Sequence, residues 1–413
     1  MSPQENPATK IEAQTGLVVA AFHRESIEIR VGGAVAAGTN SGSGSRLAEA
    51  DFFYQEGVVL VRDQDVDRVS ALLEGTETRD SLINGVTLLG LGDGVAALEA
   101  VERVEAAFGI GVATPNHVLS VTPIMLCPAE EPHEVGGRVR LDPEPRPGNG
   151  GLGVSVHVVD TGLLDDAETH PWLAGVTGEV DPHVPGQAIG EYTGHGTFVA
   201  GVLRCVAPGA DVYVASHLDR AGAILESEII RELDQALDSF PDVISISAGG
   251  TTRNNLPPLG FEAFWERLKH YKGTVVVAAA GNNGERRAFW PAAFPGVISV
   301  GALSANWRHR ADFSNFGAWV DVYAPGEDLV NAYATGVYTC TEPPHTGERR
   351  TFTGLARWSG TSFATPLVAG LIATRMSLTG ENGRQAAEAL LVKARAQAVP
   401  GVGAILLPDT EVL

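Results

Sequence analysis

The stretch SGTSFATPLVAG, residues 359–370, places Ser362 at the start of a run of small apolar residues. A serine here is typical of a helix N-cap, because its hydroxyl can accept a hydrogen bond from a free N–H group of the first turn. The same position suits a catalytic nucleophile, which needs an exposed hydroxyl and nearby partners. This stretch alone leaves both interpretations open.

Composition narrows the class of protein. The chain has 413 residues, of which 44% are hydrophobic and 19% charged, as expected for a globular protein with a large core. Its 29 Lys and Arg against 50 Asp and Glu give a net charge of −21. Nucleic acid and anionic membranes are therefore not expected as partners, because both require clustered positive charge.

The cysteines and the N-terminal segment bear on location. Cys127, Cys205 and Cys340 lack the spacing of a disulfide framework or a zinc site. The apolar run at residues 17–22 is too short for a secretory signal, and no stretch reaches the roughly 20 apolar residues of a membrane span. We therefore expect a cytoplasmic protein.

Four regions follow from composition and periodicity. Residues 1–50 form an N-terminal extension that ends in a Gly/Ser-rich linker, and residues 127–151 form a Pro/Gly-rich linker. Between them, residues 51–126 alternate strand and helix patterns and predict a small α+β domain. Residues 152–413 contain six strand-like runs rich in Val, Ile and Ala, separated by helical patterns. Such runs are typical of parallel strands buried on both faces, and predict a three-layer α/β domain with a mostly parallel sheet.

Four polar residues follow the predicted strands or begin the predicted helices of this last region: Asp160, His195, Asn282 and Ser362. Each has an ordinary interpretation, as a turn residue for Asp160 and Asn282 and as a helix-start residue for His195 and Ser362. Together they supply a hydroxyl, an imidazole, a carboxylate and an amide donor, as nucleophilic acyl transfer requires. Because sites of parallel sheets lie at the carboxyl ends of the strands, we expect the four residues to meet.

The region from about residue 150 to 385 resembles the subtilisin-like serine proteases, or subtilases. The resemblance rests on the order Asp, His, Asn, Ser and on the motifs DTG, GHGTFVAG, SISAGG, AAAGNNG and GTSFATP. It implies a subtilisin-like fold and a serine endopeptidase acting on protein or peptide substrates. It also implies Ser362 as nucleophile, His195 as base and acid, Asp160 as the residue that orients His195, and an oxyanion hole formed by Asn282 and the Ser362 N–H.

The resemblance also implies where a substrate binds. Ser247, Ala248, Gly249 and Gly250 are expected to pair with an extended peptide, and Ala279, Ala280 and Gly281 to line the pocket for the residue before the cut. These walls carry no charge, which favours an apolar residue in that pocket. The nearby Glu285, Arg286 and Arg287 leave a charged pocket open as the alternative.

The sequence departs from the family pattern in three places. The family's calcium-binding loop after His195 is missing, and Trp172 stands where the family has a carboxylate ligand, so we expect no strong calcium site and no required cofactor. Phe363 replaces the family's usual Met, which removes a thioether that oxidation could inactivate. The long segment 334–358 is expected to be a surface loop, either an ordinary excursion or an element of specificity.

The N-terminal domain leaves the state of the enzyme open. Residues 52–125 resemble a subtilase prodomain in size and element order, which implies an intramolecular inhibitor and a chain made as a zymogen. A retained, non-inhibitory recognition domain is the alternative. The peptidase is either a dedicated maturation protease or a broad degradative one. A catalytically masked or vestigial binding module remains the alternative from another class of function.

Overall fold

The computed structural model describes residues 7–32, 51–121, 130–136 and 140–413. The helices in these ranges are α1 (Pro7–Arg24), α2 (Val66–Leu73), α3 (Ala97–Phe108), α4 (His195–Val206), α5 (Glu226–Ala236), α6 (Leu259–Leu268), α7 (Thr361–Thr379) and α8 (Gly383–Ala396). The strands are β1 (Ile29–Gly32), β2 (Phe52–Arg62), β3 (Glu77–Ile83), β4 (Val86–Gly90), β5 (Ala113–Ser120), β6 (Ser155–Asp160), β7 (Thr177–Gly178), β8 (Ala188–Ile189), β9 (Asp211–Ser216), β10 (Ala223–Leu225), β11 (Val243–Ile246), β12 (Val275–Ala279), β13 (Val297–Leu303), β14 (Val322–Pro325), β15 (Leu329–Thr339) and β16 (Arg349–Trp358).

A seven-stranded parallel sheet forms the centre of the larger domain, in the order β14-β13-β12-β11-β6-β9-β7. Its strands have apolar side chains on both faces. Val156 and Val158 pack into the core that contains α4 and α7, whereas Val159 packs into the core that contains α5 and α6. Burial on both faces explains the unbroken Val/Ile runs of the sequence. The predicted three-layer α/β fold is confirmed.

The smaller N-terminal domain contains an antiparallel sheet in the order β5-β2-β4-β3, with β1 on β2. The helices α2 and α3 cover one face of this sheet and form a core with β2, β4 and β5. The sequence patterns predict β2, α2, β4, α3 and β5, but not β3, because residues 77–83 (ETRDSLI) are mostly polar and exposed. The predicted α+β character of this region is confirmed.

Strand β5 is buried along its whole length, although its sequence ATPNHVLS is largely polar. Its polar side chains bond across the boundary between the domains. Asn116 donates to Ser227 Oγ (2.8 Å) and accepts from Ser227 N (2.9 Å), while His117 Nδ1 lies 2.8 Å from Glu226 Oε2. These contacts satisfy the first turn of α5 and hold the N-terminal domain on the larger domain.

The pairing of β5 continues into the larger domain. Its last residues pair antiparallel with β10, with Ser120 opposite Ala223 and Val118 opposite Leu225. Helix α1 packs over this junction, where Val18 and Phe22 contact a cluster formed by Ile29, Phe53, Val118, Ala223 and Leu225. The two domains therefore share one antiparallel sheet at this edge.

The segment 334–358 is not the irregular loop that the sequence suggests. It belongs to a long hairpin of β15 and β16, which pairs from Leu329 opposite Trp358 to Thr339 opposite Arg349. A bulge between Ala332 and Thr335 interrupts the ladder. Along β16 buried and exposed residues alternate strictly, as expected for a sheet with one covered face.

In the described part of the chain, no helix combines the length and the apolar character needed to cross a membrane.

The buried Glu226 provides a test of the domain contact. Its Oε1 accepts from Gly260 N (2.6 Å), so Glu226→Ala leaves that N–H and His117 without their carboxylate partner. We expect a loss of about 3 kcal/mol in the free energy of unfolding, measured by urea denaturation. The substitution Glu232→Ala, on the same helix but partly exposed, is the control and should cost less than about 0.5 kcal/mol. Equal losses in the two variants would contradict this role of Glu226.

Candidate active site

Asp160 and His195 form a buried pair at the carboxyl end of the central sheet. Asp160 ends β6, His195 begins α4, and Asp160 Oδ1 lies 2.6 Å from His195 Nδ1. Asp160 Oδ1 also accepts from Thr161 N at 2.8 Å. The contact between Asp160 Oδ1 and His195 Nδ1 fixes the orientation of the imidazole and favours the tautomer with a proton on Nδ1.

Two glycines allow the strand end and the helix start to approach this closely. A Cβ on Gly196 would lie 2.3 Å from the carbonyl oxygen of Gly162, and one on Gly162 would lie 2.9 Å from the backbone nitrogen of Asp181. Gly162 also has a φ of +97°, which L side chains rarely adopt. The motifs DTG and HG therefore meet the steric requirement of this contact.

Ser362 lies in the first turn of α7 and is buried. Its hydroxyl donates to the carbonyl oxygen of Ser247 at 3.2 Å, and the Ser247 hydroxyl donates back to the Ser362 carbonyl at 3.0 Å. In this structure the Ser362 hydroxyl is thus directed at the segment after β11 and not at His195. The two residues nevertheless line the same cavity.

The side chain of Asn282 has a fixed orientation. Asn282 lies three residues after the end of β12. Its Oδ1 accepts from both Thr361 N and Thr361 Oγ1, each at 2.8 Å. Because the oxygen is bound by two donors, the amide nitrogen is the atom free to donate toward the cavity that Asn282 lines. Thr361, the residue before Ser362, therefore orients the candidate oxyanion donor.

A cavity contains His195, Asn282 and Ser362 in its lining. Its walls come from the catalytic domain, the N-terminal segments and the hairpin: Gln14, Val121, Glu130, Glu131, Pro132, Glu191, Tyr192, His195, Asn282, Tyr338, Thr341, Glu342, Trp358, Ser362 and Phe363. The rings of Trp358 and Phe363 contact the His195 ring at centroid distances of 5.3 and 5.2 Å. No pattern of the sequence indicates that Trp358 reaches the imidazole.

The predicted peptide-binding segment after β11 is paired with the N-terminal domain. Ser120 N donates to Gly249 O at 2.8 Å, and Gly249 N donates to Ser120 O at 3.0 Å. Val121 N donates to Gly222 O at 2.9 Å on the other side. The end of β5 thus lies as a strand between two edges, close to Ser362.

The other predicted substrate residues surround an aromatic ring. Gly281 follows the buried Ala279 and Ala280 at the end of β12. A Cβ on Gly281 would lie 2.9 Å from the Phe289 ring, and a Cβ on Gly249 would lie 2.3 Å from it. Gly250 pairs in both directions with Trp290 at 2.8 Å.

The three charged residues near this region have partners or neighbours elsewhere. Arg287 forms an ion pair with Asp51 of the N-terminal domain at 2.9 Å. Arg286 lies over the Phe316 ring at 5.2 Å. Burial raises the pKa of the Glu285 carboxyl, and the positive charge of Arg287 acts against this shift. The walls that the sequence predicts for the pocket therefore remain apolar at Phe289.

Asp181 is a positioning residue that sequence reasoning missed. Its Oδ2 accepts from Gly194 N at 2.6 Å and from Thr161 Oγ1 at 3.3 Å, the neighbours of His195 and Asp160 respectively. Burial, more than any other influence, raises the pKa of Asp181 to about 6, and the negative charge of Asp160 acts in the same direction. No motif of the sequence marks Asp181, which lies in the loop GEVDPH.

Comparison with known proteins defines the family. A sequence profile of the Subtilase family matches residues 151–404, more than half of the chain. The chain therefore belongs to the subtilase family, as the motifs of its sequence indicate.

Two characterised relatives illustrate the match. The chain is 35% identical over 270 residues to a thermophilic serine proteinase of Bacillus sp. strain AK1, over 62% of this chain and 59% of that protein. It is 33% identical over 247 residues to thermitase of Thermoactinomyces vulgaris, over 57% of this chain and 78% of that protein. The match thus spans less than two thirds of the first of these relatives.

Solved structures agree with the fold. Fervidolysin from Fervidobacterium pennivorans, a keratinolytic enzyme related to subtilisin, is similar with a TM-score of 0.59 and 20% identity, over 86% of this chain and 60% of that chain. The protease domain of PatA is similar with a TM-score of 0.50 and 26% identity, over 63% of this chain and 94% of that chain. Both likenesses support a subtilisin-like fold.

The raised pKa of Asp181 predicts a measurable pH dependence of stability. Folding disfavours the ionised form of Asp181, so the contribution of Asp181 to the free energy of unfolding should fall as pH rises from about 4 to about 6 and then level off. In Asp181→Asn this contribution is missing. The difference between the parent protein and the variant should therefore change by up to roughly 3 kcal/mol across that interval.

Urea unfolding at several pH values, in a Ser362→Ala background that prevents self-digestion, measures this difference. Asp211→Asn changes an exposed carboxylate and serves as the control. Parallel pH curves for the parent and the Asp181→Asn variant would show that Asp181 does not titrate in this interval.

Proposed function

We propose that the protein is a serine endopeptidase that hydrolyses peptide bonds in protein or peptide substrates. The observation that carries the proposal is the contact of the buried Asp160 with His195, which lines one cavity together with Ser362 and Asn282. A buried carboxylate that orients an imidazole beside a serine at a helix start is the arrangement required for nucleophilic acyl transfer.

The proposed mechanism uses only side chains and backbone N–H groups of this chain. Ser362 attacks the substrate carbonyl while His195 accepts its proton, and His195 then donates that proton to the leaving amine as the C–N bond breaks and the acyl group stays on Ser362. A water molecule then attacks this acyl group, and His195 takes a proton from the water and returns it to the Ser362 oxygen as the acid leaves. Asp160 stabilises the charged imidazole. The Asn282 amide and the Ser362 N–H stabilise the oxyanion, assisted by the positive end of the α7 dipole.

Ser362 must change its hydrogen bond before it reacts. In this structure its hydroxyl donates to Ser247 O, so a rotation of the side chain toward His195 precedes attack. Active-site hydrogen bonds often form fully only when substrate binds. The chemistry needs no cofactor, and the expected lack of a strong calcium site stays a prediction from the sequence.

The proposed substrate binds as an extended strand along residues 247–250. Support comes from Ser120 and Val121, which already pair in this way with Gly249 and Gly222. The aromatic ring of Phe289 beside Gly249 and Gly281 favours an apolar residue before the cut bond.

We further propose that the N-terminal domain inhibits the enzyme and that the chain is a zymogen. The end of β5 occupies the edges that a substrate strand would use, and Gln14 of α1 and Val121 line the cavity of Ser362. Both features restrict access by exogenous peptides. Such restriction suits dedicated maturation of particular substrates better than broad degradation.

A catalytically masked binding module is the second candidate function. The hydrogen bond of Ser362 to Ser247, together with the occupied strand edges, is the observation that favours it. The two candidates differ in whether Ser362 can react once the cleft is open.

Labelling by a fluorophosphonate probe tests the peptidase proposal. We expect the probe to react with the full chain at Ser362, because the paired His195 activates this hydroxyl, and mass spectrometry of the peptides identifies the modified residue. Ser362→Ala should abolish labelling, whereas Ser377→Ala, at the other end of α7, should retain it. A chain that is not labelled even with the cleft opened would exclude the peptidase and favour the binding module.

Opening the cleft is the second experiment. Ser120→Pro removes the N–H that bonds to Gly249 O, and should raise the labelling rate about tenfold if β5 is inhibitory. Thr78→Pro, on the distant edge strand β3, is the matched control for loss of stability in the same domain. An equal labelling rate in wild type, Ser120→Pro and Thr78→Pro would contradict inhibition by β5.

A further inference from the structure

We propose that the β15–β16 hairpin provides a carboxylate-binding subsite of the active-site cleft. In this structure the protein's own Glu131 occupies it, and in catalysis an acidic side chain of a peptide substrate takes its place. The inference deepens the proposed peptidase function and rests on it. We call this subsite the carboxylate site and define it by Tyr338, Thr341 and the backbone N–H of Glu342.

The carboxylate site holds one oxygen with four donors. Glu131 Oε1 accepts from Tyr338 Oη at 2.9 Å, Thr341 N at 2.6 Å, Thr341 Oγ1 at 3.2 Å and Glu342 N at 3.2 Å. Glu131 is only 8% exposed. A buried carboxylate is costly unless its oxygens are hydrogen-bonded, and these donors provide that compensation without a cationic side chain.

The hydroxyl of Tyr338 acts as a donor at any ordinary pH. Burial, and then the negative charge of Glu131, raise the pKa of Tyr338 far above its usual range. An amide oxygen could accept the same bonds but carries no charge, and charged acceptors form hydrogen bonds roughly twice as strong as neutral ones. The carboxylate site should therefore select Glu over Gln.

The carboxylate site is part of the catalytic cavity. Tyr338, Thr341 and Glu131 line it together with His195 and Ser362. Trp358, at the end of β16, contacts the His195 ring and donates through Nε1 to the carbonyl oxygen of Glu130 at 2.5 Å. One strand of the hairpin thus connects the catalytic histidine with the segment that carries Glu131.

The segment of Glu131 is bound as a peptide, by its main chain as well as its side chain. Arg350 donates to the carbonyl oxygens of Glu131 and Pro132 at 3.2 and 3.0 Å. His133 pairs with Arg357 of β16 in both directions at 2.9 Å. Main-chain pairing combined with one side-chain site is how an extended peptide is recognised, so this surface suits the binding of a peptide.

Chain direction places the carboxylate site on the leaving-group side of the cut. The polypeptide reaches the cavity at Val121, after β5, and lines it again at Glu131, later in the sequence. A substrate that follows the direction of β5 reaches the carboxylate site with residues C-terminal to the cut bond.

The first experiment uses internally quenched peptides in which one position at a time, on both sides of the cut, is Glu, Gln or Ala. With the wild-type full chain we expect kcat/KM to be about tenfold higher for Glu than for Gln at a single position C-terminal to the cut. Tyr338→Phe should lower this ratio to about threefold or less. Thr339→Val, an exposed neighbour on β15, should leave the ratio unchanged.

The second experiment uses competition by the internal ligand. Glu131→Gln weakens the occupant of the carboxylate site, so KM for the Glu peptide should fall about fivefold or more, while KM for the Ala peptide should fall less. Glu134→Gln is the matched control, because Glu134 lies on the same segment and bonds to the hairpin at Thr351 but does not line the cavity. No preference for Glu at any position, or the same ratio in wild type and Tyr338→Phe, would overturn the proposal.

A third measurement is independent of catalysis. Propionate, but not propionamide at equal ionic strength, should raise the melting temperature of Glu131→Ala and leave that of wild type unchanged, because only the variant has the carboxylate site vacant. A Ser362→Ala background prevents self-digestion in both proteins; if Glu131→Ala does not fold alone, its refolding with propionate but not with propionamide is the measurement. Equal effects of propionate on variant and wild type would show that the site does not bind carboxylates, whereas loss of probe labelling with propionate rescue intact would contradict the peptidase alone.

Discussion

The antiparallel ladder that joins β5 to β10 and to Gly249 is the interaction on which the arrangement of the cleft depends. Gly222 and Gly249 present backbone N–H and C=O groups at two facing edges, and Ser120 and Val121 satisfy them. Without a strand between them, these groups would face water or another peptide. The substrate strand that we propose would therefore need to replace an existing one, and its binding energy would be offset by the loss of that pairing.

The polar residues of β5 and the first turn of α5 stabilise the ladder from one side, and α1 covers it from another. Asn116 and His117 replace apolar contacts with directional bonds to Ser227 and Glu226, which fixes the register of the strand. Asp181 has a similar role beneath the catalytic pair, where it accepts from residues next to Asp160 and His195. At the domain boundary and beside Asp160 and His195, a buried carboxylate or amide thus holds the neighbouring backbone in one position.

The sequence was sufficient for the parts of the structure that depend on local patterns. Continuous Val and Ile runs identified the strands of the parallel sheet. In the structure Asp160 contacts His195, and His195, Asn282 and Ser362 line one cavity. The hairpin, the partners of β5 and the role of Asp181 depend on contacts between residues far apart in the chain. Glu131 and Tyr338 are separated by 207 positions, and no periodicity links them. From the sequence Trp358 would be interpreted as an ordinary core residue, and only the structure shows its contact with His195.

The sequence also could not predict whether the N-terminal domain covers the cleft, because a small α+β domain can bind anywhere on its neighbour. Its placement here follows from the complementarity of β5 with the edges at β10 and Gly249. The hairpin adds the carboxylate site that we propose, and Val121 and Glu131 both line the cavity that contains Ser362. Because segments of the N-terminal region line this cavity, the inhibition and the substrate preference that we propose concern the same surface.

Hydrogen–deuterium exchange tests most directly whether β5 and the substrate share the same edges. The full chain would be compared after reaction of Ser362 with a phosphonate that carries a peptide of several residues and with a small phosphonate that carries none. The amides of Ser120 and Val121 should exchange faster only with the peptidyl inhibitor, because its strand displaces theirs, while the Gly249 amide stays protected. Unchanged protection of Ser120 and Val121 with the peptidyl inhibitor bound would contradict the account.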